Sequence, residues 1–66
     1  MNVTINGEAA ELASPISVAE LVEARYSAQK GIAVAIDRAV VPRSTWATRL
    51  ITEGSAVEIL VAVQGG

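Results

Sequence analysis

The sequence closes on Gly65-Gly66, directly after a long apolar run that reads as a strand. A terminal glycine leaves the carboxylate without a neighbouring side chain, and its backbone reaches conformations closed to other residues. With the last strand ending near Val63, Gln64-Gly65-Gly66 extends roughly 10 Å from the body. A carboxylate so unshielded can enter the narrow active site of another enzyme. A Gly-Gly ending taken alone is commonly a frayed terminus. Here it follows a strand in a chain with no other group suited to chemistry, which makes Gly66 the candidate reacting residue.

The rest of the composition narrows the field. Sixty-six residues form one small domain, which buries only about 60% of the surface its unfolded chain exposes. There is no cysteine and no histidine, so disulfides, thiolate metal sites and the commonest general base are all missing. A self-sufficient catalytic centre and a bound cofactor are therefore not expected. The net charge is −2 and the aromatics are Tyr26 and Trp46. Nucleic-acid binding needs a positive patch, often with stacking rings, and neither occurs. The opening Met1-Asn2-Val3-Thr4 lacks the charged start and apolar core of a signal peptide. The apolar runs are too short to span a bilayer. A cytoplasmic chain without membrane association is the expectation.

The elements that must carry the tail follow from local patterns. Val3 and Ile5 alternate with polar neighbours, the period of a strand with one buried face. Asn6-Gly7 is a strong hairpin signal, because a type I′ turn needs positive φ at both central positions. The return strand is Glu8 to Leu12, and Ser14-Pro15 breaks the pattern. Ser17-Val18-Ala19-Glu20 fits a capping box, with Ile16 and Leu21 at the staple positions. Val18, Leu21 and Val22 share a helix face, with Tyr26 one turn on. Gly31 is the expected stop, with Lys30 near the negative end of the helix dipole.

Ile32 to Ile36 is apolar throughout, as in a central strand. Ile32, Val34 and Ile36 are expected to face the helix, and Ala33 and Ala35 to form a smooth second face. Asp37-Arg38 turns the chain into Ala39-Val40-Val41, which Pro42 ends. Arg43 to Arg49 reads as a short turn or 3₁₀ segment, with Trp46 a lid on the core and Arg43 either orienting the turn, touching an acidic partner or, the commoner case, solvated at the surface. Gly54-Ser55 leads into Ala56 to Val63. There Val57, Ile59, Val61 and Val63 fall on one face, and Glu58, Leu60 and Ala62 on the other.

The order β-β-α-β-β-(short turn)-β predicts an α+β domain, a mixed sheet of about five strands with one helix across one face. Placing the first and last strands side by side and parallel in the centre gives the β-grasp arrangement. The domain would cover residues 1–63, and 64–66 would be a flexible Gln-Gly-Gly tail. Ala33, Ala35, Leu60 and Ala62 would form a flat apolar patch beside the exit of the tail. Exposed apolar area of that kind marks a partner surface.

Several stretches together resemble a known family. The opening Asn2-Val3-Thr4-Ile5-Asn6-Gly7, the stretch Val18-Ala19-Glu20-Leu21, and Ala33-Val34-Ala35-Ile36 carry part of the likeness. Val40-Val41-Pro42-Arg43 with Trp46, and the ending Ala62-Val63-Gln64-Gly65-Gly66, are its specific part. The chain resembles the ubiquitin-like sulfur-carrier proteins, in particular the ThiS family of thiamine-thiazole synthesis. Two turn residues depart from the family's habit: Asp37 where asparagine is usual, and Ser55 where aspartate often follows the glycine.

The resemblance implies a carrier rather than an enzyme. An adenylating enzyme related to ubiquitin activators (ThiF-like) would use ATP to join AMP to the carboxylate of Gly66. Sulfur from a cysteine desulfurase-linked donor would displace AMP to give a thiocarboxylate, the 1-thioglycine form of Gly66. A ThiG-like thiazole synthase would then take the sulfur. Gln64 and Gly65 would lie in the enzymes' channels, and the free carrier would be a monomer. Three other readings stand beside this one. The small subunit of molybdopterin synthase shares fold, Gly-Gly end and thiocarboxylate, although it is usually longer. A ubiquitin-like modifier would be ligated through Gly66 to lysines of targets. A passive interaction domain would make no use of its tail.

Overall fold

Asn6 and Gly7 both have positive φ, 52° and 82°, the backbone a type I′ hairpin requires. They join β1 (Asn2–Ile5) to β2 (Glu8–Glu11) as an antiparallel pair. The computed structural model describes residues 1–26 and 31–62, so the tail and the 63/64 domain boundary lie outside the described residues. A two-residue strand, β3 (Ile16–Ser17), leads directly into the helix α1 (Val18–Arg25). The remaining elements are β4 (Ile32–Ile36), β5 (Ala39–Val40), a 3₁₀ turn at Arg43–Thr45, β6 (Leu50–Ile51) and β7 (Ala56–Val61).

The main sheet has five strands in the order β2-β1-β7-β4-β5. β1 and β7 run parallel at its centre, and every other pairing is antiparallel. This is the β-grasp arrangement expected from the sequence, with α1 across one face. Val3, Ile5, Val34, Ile36, Val57 and Ile59 present that face to Val18, Leu21 and Val22 of the helix. Trp46 is the lid anticipated for it, 3% exposed, with its indole N–H donating to the Val41 carbonyl at 3.0 Å.

The helix start is well satisfied. Ser17 and Glu20 form the capping box reciprocally: the Glu20 amide donates to Ser17 Oγ, and the Ser17 amide donates to Glu20 Oε1. The Val18 and Ala19 amides donate to the carbonyls of Arg49 and Trp46. The orphan donors of the first turn are thereby paired with the 43–49 segment. A second, two-stranded sheet of β3 with β6 fixes the same junction, with Ile16 opposite Ile51. That sheet went unanticipated, because two-residue strands show no period.

One expectation needs correction and two gain detail. The helix ends earlier than Gly31: Tyr26 is the C-cap, with extended φ −134° and ψ 137°, and Arg25 is the basic residue of the last turn. Aromatic and serine residues are weaker helix formers, and Tyr26-Ser27 comes at this point in the sequence. Lys30 lies outside the described residues. Val61 follows Val57 and Ile59 in the strand's alternation yet is 47% exposed, because β1 has already turned back at Asn6 and only β4, at Ile32, flanks β7 there. Val63, expected on the same face, is outside the described residues. Arg43 lies exposed at the surface and is also tied to the turn. Its guanidinium carbon sits 4.6 Å from the centre of the Trp46 ring, and Nη2 donates to the Ile32 carbonyl at 3.4 Å.

Candidate functional site

Any chemistry at Gly66 depends on how the body presents the chain leading to it. β7 is the central strand, hydrogen-bonded to β1 on one side and β4 on the other. Its entry is fixed by Asp37, whose carboxylate accepts from the Ala56 amide at 3.0 Å while its own amide donates to the Ala56 carbonyl. Ser55 is buried, and its hydroxyl accepts from the Thr52 amide. Both departures from the family's habit thus fill turn positions with satisfied polar groups.

The exit of β7 is held by two residues whose part in it sequence reading missed. Asn6, besides making the hairpin, reaches across with its side chain. Its Oδ1 accepts from the Ile59 amide at 2.8 Å and its Nδ2 donates to the Ile59 carbonyl at 3.2 Å. The side-chain amide thereby replaces one residue of a neighbouring strand. Gly31, expected as a helix stop, lies against the last described residue. The Ala62 amide donates to the Gly31 carbonyl at 2.7 Å. Gly31 has φ +71°, and a Cβ there would meet Ala62 Cβ at 3.4 Å. Its positive φ favours glycine. Asn-Gly at 6–7 was a visible signal, but its 53-residue reach to Ile59 was not.

The open face of the sheet carries the four residues anticipated as a partner patch. Ala33 stands opposite Leu60 in the β4–β7 ladder, and Ala35 opposite Glu58. Leu60 is 70% exposed; Ala33 and Ala62 are exposed and Ala35 is half-buried. The structure adds Val40, 77% exposed and paired with Ala35. Ala33, Ala35, Val40, Glu58 and Leu60 border a depression of about 130 Å³; Ala62, past the end of β7, is not part of its lining. The patch is therefore apolar with one carboxylate in it, not uniformly apolar. A larger depression of about 440 Å³ lies between Ile36, Val41 and Arg49. It sits at the Ile36 end of β4, opposite Val57 and away from the chain end.

Among the described residues no cluster of acidic side chains is placed to hold a metal, and no helix is long and apolar enough to cross a membrane. The positioned features of the site are thus a central strand, its two clamps and an open apolar face. The ThiS family model matches residues 3–66, nearly the whole chain and the Gly-Gly ending with it. The chain belongs to the ThiS family. One ThiS-family relative, the sulfur carrier protein ThiS of Escherichia coli K12, is 32% identical over 66 residues, covering all of both chains. Among solved structures, the crystal structure of the thiamine biosynthesis protein ThiS from Geobacter metallireducens superposes with a TM-score of 0.83. It is 30% identical, with full coverage of both chains. A solution structure of a thiamine biosynthesis protein from the same organism also gives 0.83, at 32% identity, covering all of this chain and 88% of that one.

Proposed function

We propose that this chain is a sulfur carrier of thiamine biosynthesis, loaded and unloaded at the carboxyl group of Gly66. The observation that carries the reading is the family match running through Gly65-Gly66, on a fold whose central strand leads into those residues. The end-to-end alignment with a relative named as a sulfur carrier supports it. So does the residue inventory. Without cysteine, the chain has no thiol on which to carry sulfur as a persulfide, which leaves a thiocarboxylate, and the carboxylate of Gly66 is the one without a side chain beside it.

A carboxylate is a poor electrophile and must be activated. An adenylating partner joins AMP from ATP to Gly66 and releases pyrophosphate. Sulfur from a desulfurase-linked donor then displaces AMP, leaving the thiocarboxylate that a thiazole synthase draws on. The chain itself supplies no catalytic group and needs no resident cofactor; it is the substrate, and it works in the cytoplasm. Its own contribution is to present the tail and to offer the face of Ala33, Ala35, Leu60 and Ala62 for docking, with Gln64 and Gly65 passing through the enzyme's channel.

ATP–pyrophosphate exchange with the matching adenylating enzyme tests the first step. The intact chain should support exchange. Deleting Gly66 withdraws the carboxylate by roughly 3.3 Å, enough to lose attack geometry, and Gly66→Val puts a branched side chain beside the reacting carbon. Both variants should fold normally and support almost no exchange. A Gly66 deletion that exchanged at the normal rate would defeat the reading.

A further inference from the structure

We propose that an extended segment of the adenylating enzyme adds as a strand to the edge of β7 at Val61, so that the carrier is recognised by backbone pairing just ahead of its tail. This rests on the carrier reading above. The edge is defined by the hydrogen bonds on either side of the strand. The Val57 carbonyl accepts from the Asn6 amide, and Ile59 uses both its amide and its carbonyl on the Asn6 side chain. Ala62, by contrast, donates toward Gly31 on the β4 side. Backbone groups alternate in direction along a strand. The Val61 amide and carbonyl therefore point the same way as those of Ile59, away from β4. β1 pairs with β7 only at Thr4–Ala56 and Ile5–Val57, so among the described residues Val61 has a strand neighbour on the β4 side alone, where it stands opposite Ile32.

Natural sheets protect such edges with charge, proline or brevity. The other two edges of this sheet are protected. β2 begins and ends with glutamate, and β5 is two residues long with Pro42 close behind. The β7 exit is different: Leu60, Val61 and Ala62 carry no charge. Asn6 ends the internal ladder with a side chain, so the next rung is left free beside the chain that leaves the body. Strand addition uses such an edge, with main-chain hydrogen bonds supplying affinity.

The occupant follows from chain length. Gly66 is five residues beyond Val61, at most about 17 Å of extended chain. An enzyme that closes around the Gly66 carboxylate must bring its channel wall close to Val61.

Amide hydrogen exchange on the full chain, free and bound to its adenylating enzyme, tests this directly. In the free protein the Val61 amide should exchange much faster than that of Ala62, which is bonded to Gly31 and serves as internal reference. On binding, Val61 should slow by about tenfold or more, as one added hydrogen bond provides. Replacing the Val61 amide by an ester in a synthetic chain should weaken enzyme binding by about tenfold, and the ester chain should still fold. A complex that adenylates Gly66 with Val61 exchange unchanged overturns the proposal and leaves the carrier reading standing. Slowing that depends on carrier concentration without enzyme overturns it in favour of a second copy on that edge. Failure of the intact chain to be adenylated at all overturns the carrier reading and this proposal with it.

Discussion

On β4 and β7, neighbouring residues point to opposite faces of one sheet and meet different surroundings. Val34 and Ile59 are paired with each other and buried under the helix, while Ala33 and Leu60, one position along, are paired and exposed. The covered face is filled by branched side chains of similar size and closed by Trp46. The open face alternates small alanines with Leu60 and Val40, and holds Glu58 among them. A leucine gains about 1.5–3 kcal/mol from full burial. Leu60 forgoes most of that in the free protein. The difference separates two surfaces along the same strands: one face holds the domain together, and the other stays open and is the face proposed above for docking.

If that division is right, substitutions on the two faces should be felt in different assays. The largest effect on folding should come from Trp46→Ala, which empties the lid and strands the Val41 carbonyl. A loss of about 3–5 kcal/mol is expected for truncating a buried aromatic. A domain of this size has roughly 3–10 kcal/mol in total, so denaturant titration should find the variant largely or wholly unfolded. A near-normal midpoint would mean that the covered face does not carry the stability assigned to it.

Leu60→Asp probes the opposite face. Titration calorimetry should show binding to the adenylating enzyme or the thiazole synthase weakened by about 2 kcal/mol, as for a lost anchor. The thermal midpoint should barely move, since exposed substitutions usually stay within about 0.5 kcal/mol. Unchanged binding to both partners would remove the open face from the account.

A smaller effect should come from Gly31→Ala, which tests the clamp at the exit of β7. At φ +71° a side chain is strained whatever the space, although its Cβ would meet Ala62 at an ordinary contact distance of 3.4 Å. A loss of about 1 kcal/mol is expected, a fall of roughly 4–8 °C in Tm. Circular dichroism melting reads this. No change in Tm would show that the left-handed backbone at Gly31 does not set the stability of this junction.

What could be read from the sequence was mostly local chemistry. The Asn6-Gly7 turn, the Ser17–Glu20 capping box, the alternation in Ile32–Ile36 and the lid position of Trp46 each follow from a few adjacent residues, and each is present in the structure. Parallel pairing of the first and last strands followed from connection rules applied to that order. What stayed hidden depends on partners distant in sequence. β3 and β6 are two residues each and form only by pairing with one another. The second role of Asn6 needs Ile59, and the role of Gly31 needs Ala62. Val40 was recognisable as a strand residue, but its exposure depends on β5 being the sheet's outer strand.

The central claim is that sulfur rides on Gly66. The most direct measurement is the intact mass of the chain after incubation with ATP, its adenylating enzyme and a sulfur source, followed by fragmentation to locate the change. A species heavier by the exchange of one oxygen for one sulfur is expected, confined to the C-terminal residue, and absent when Gly66 is deleted. An unchanged mass under conditions that load a known carrier, or sulfur located anywhere other than Gly66, would contradict it.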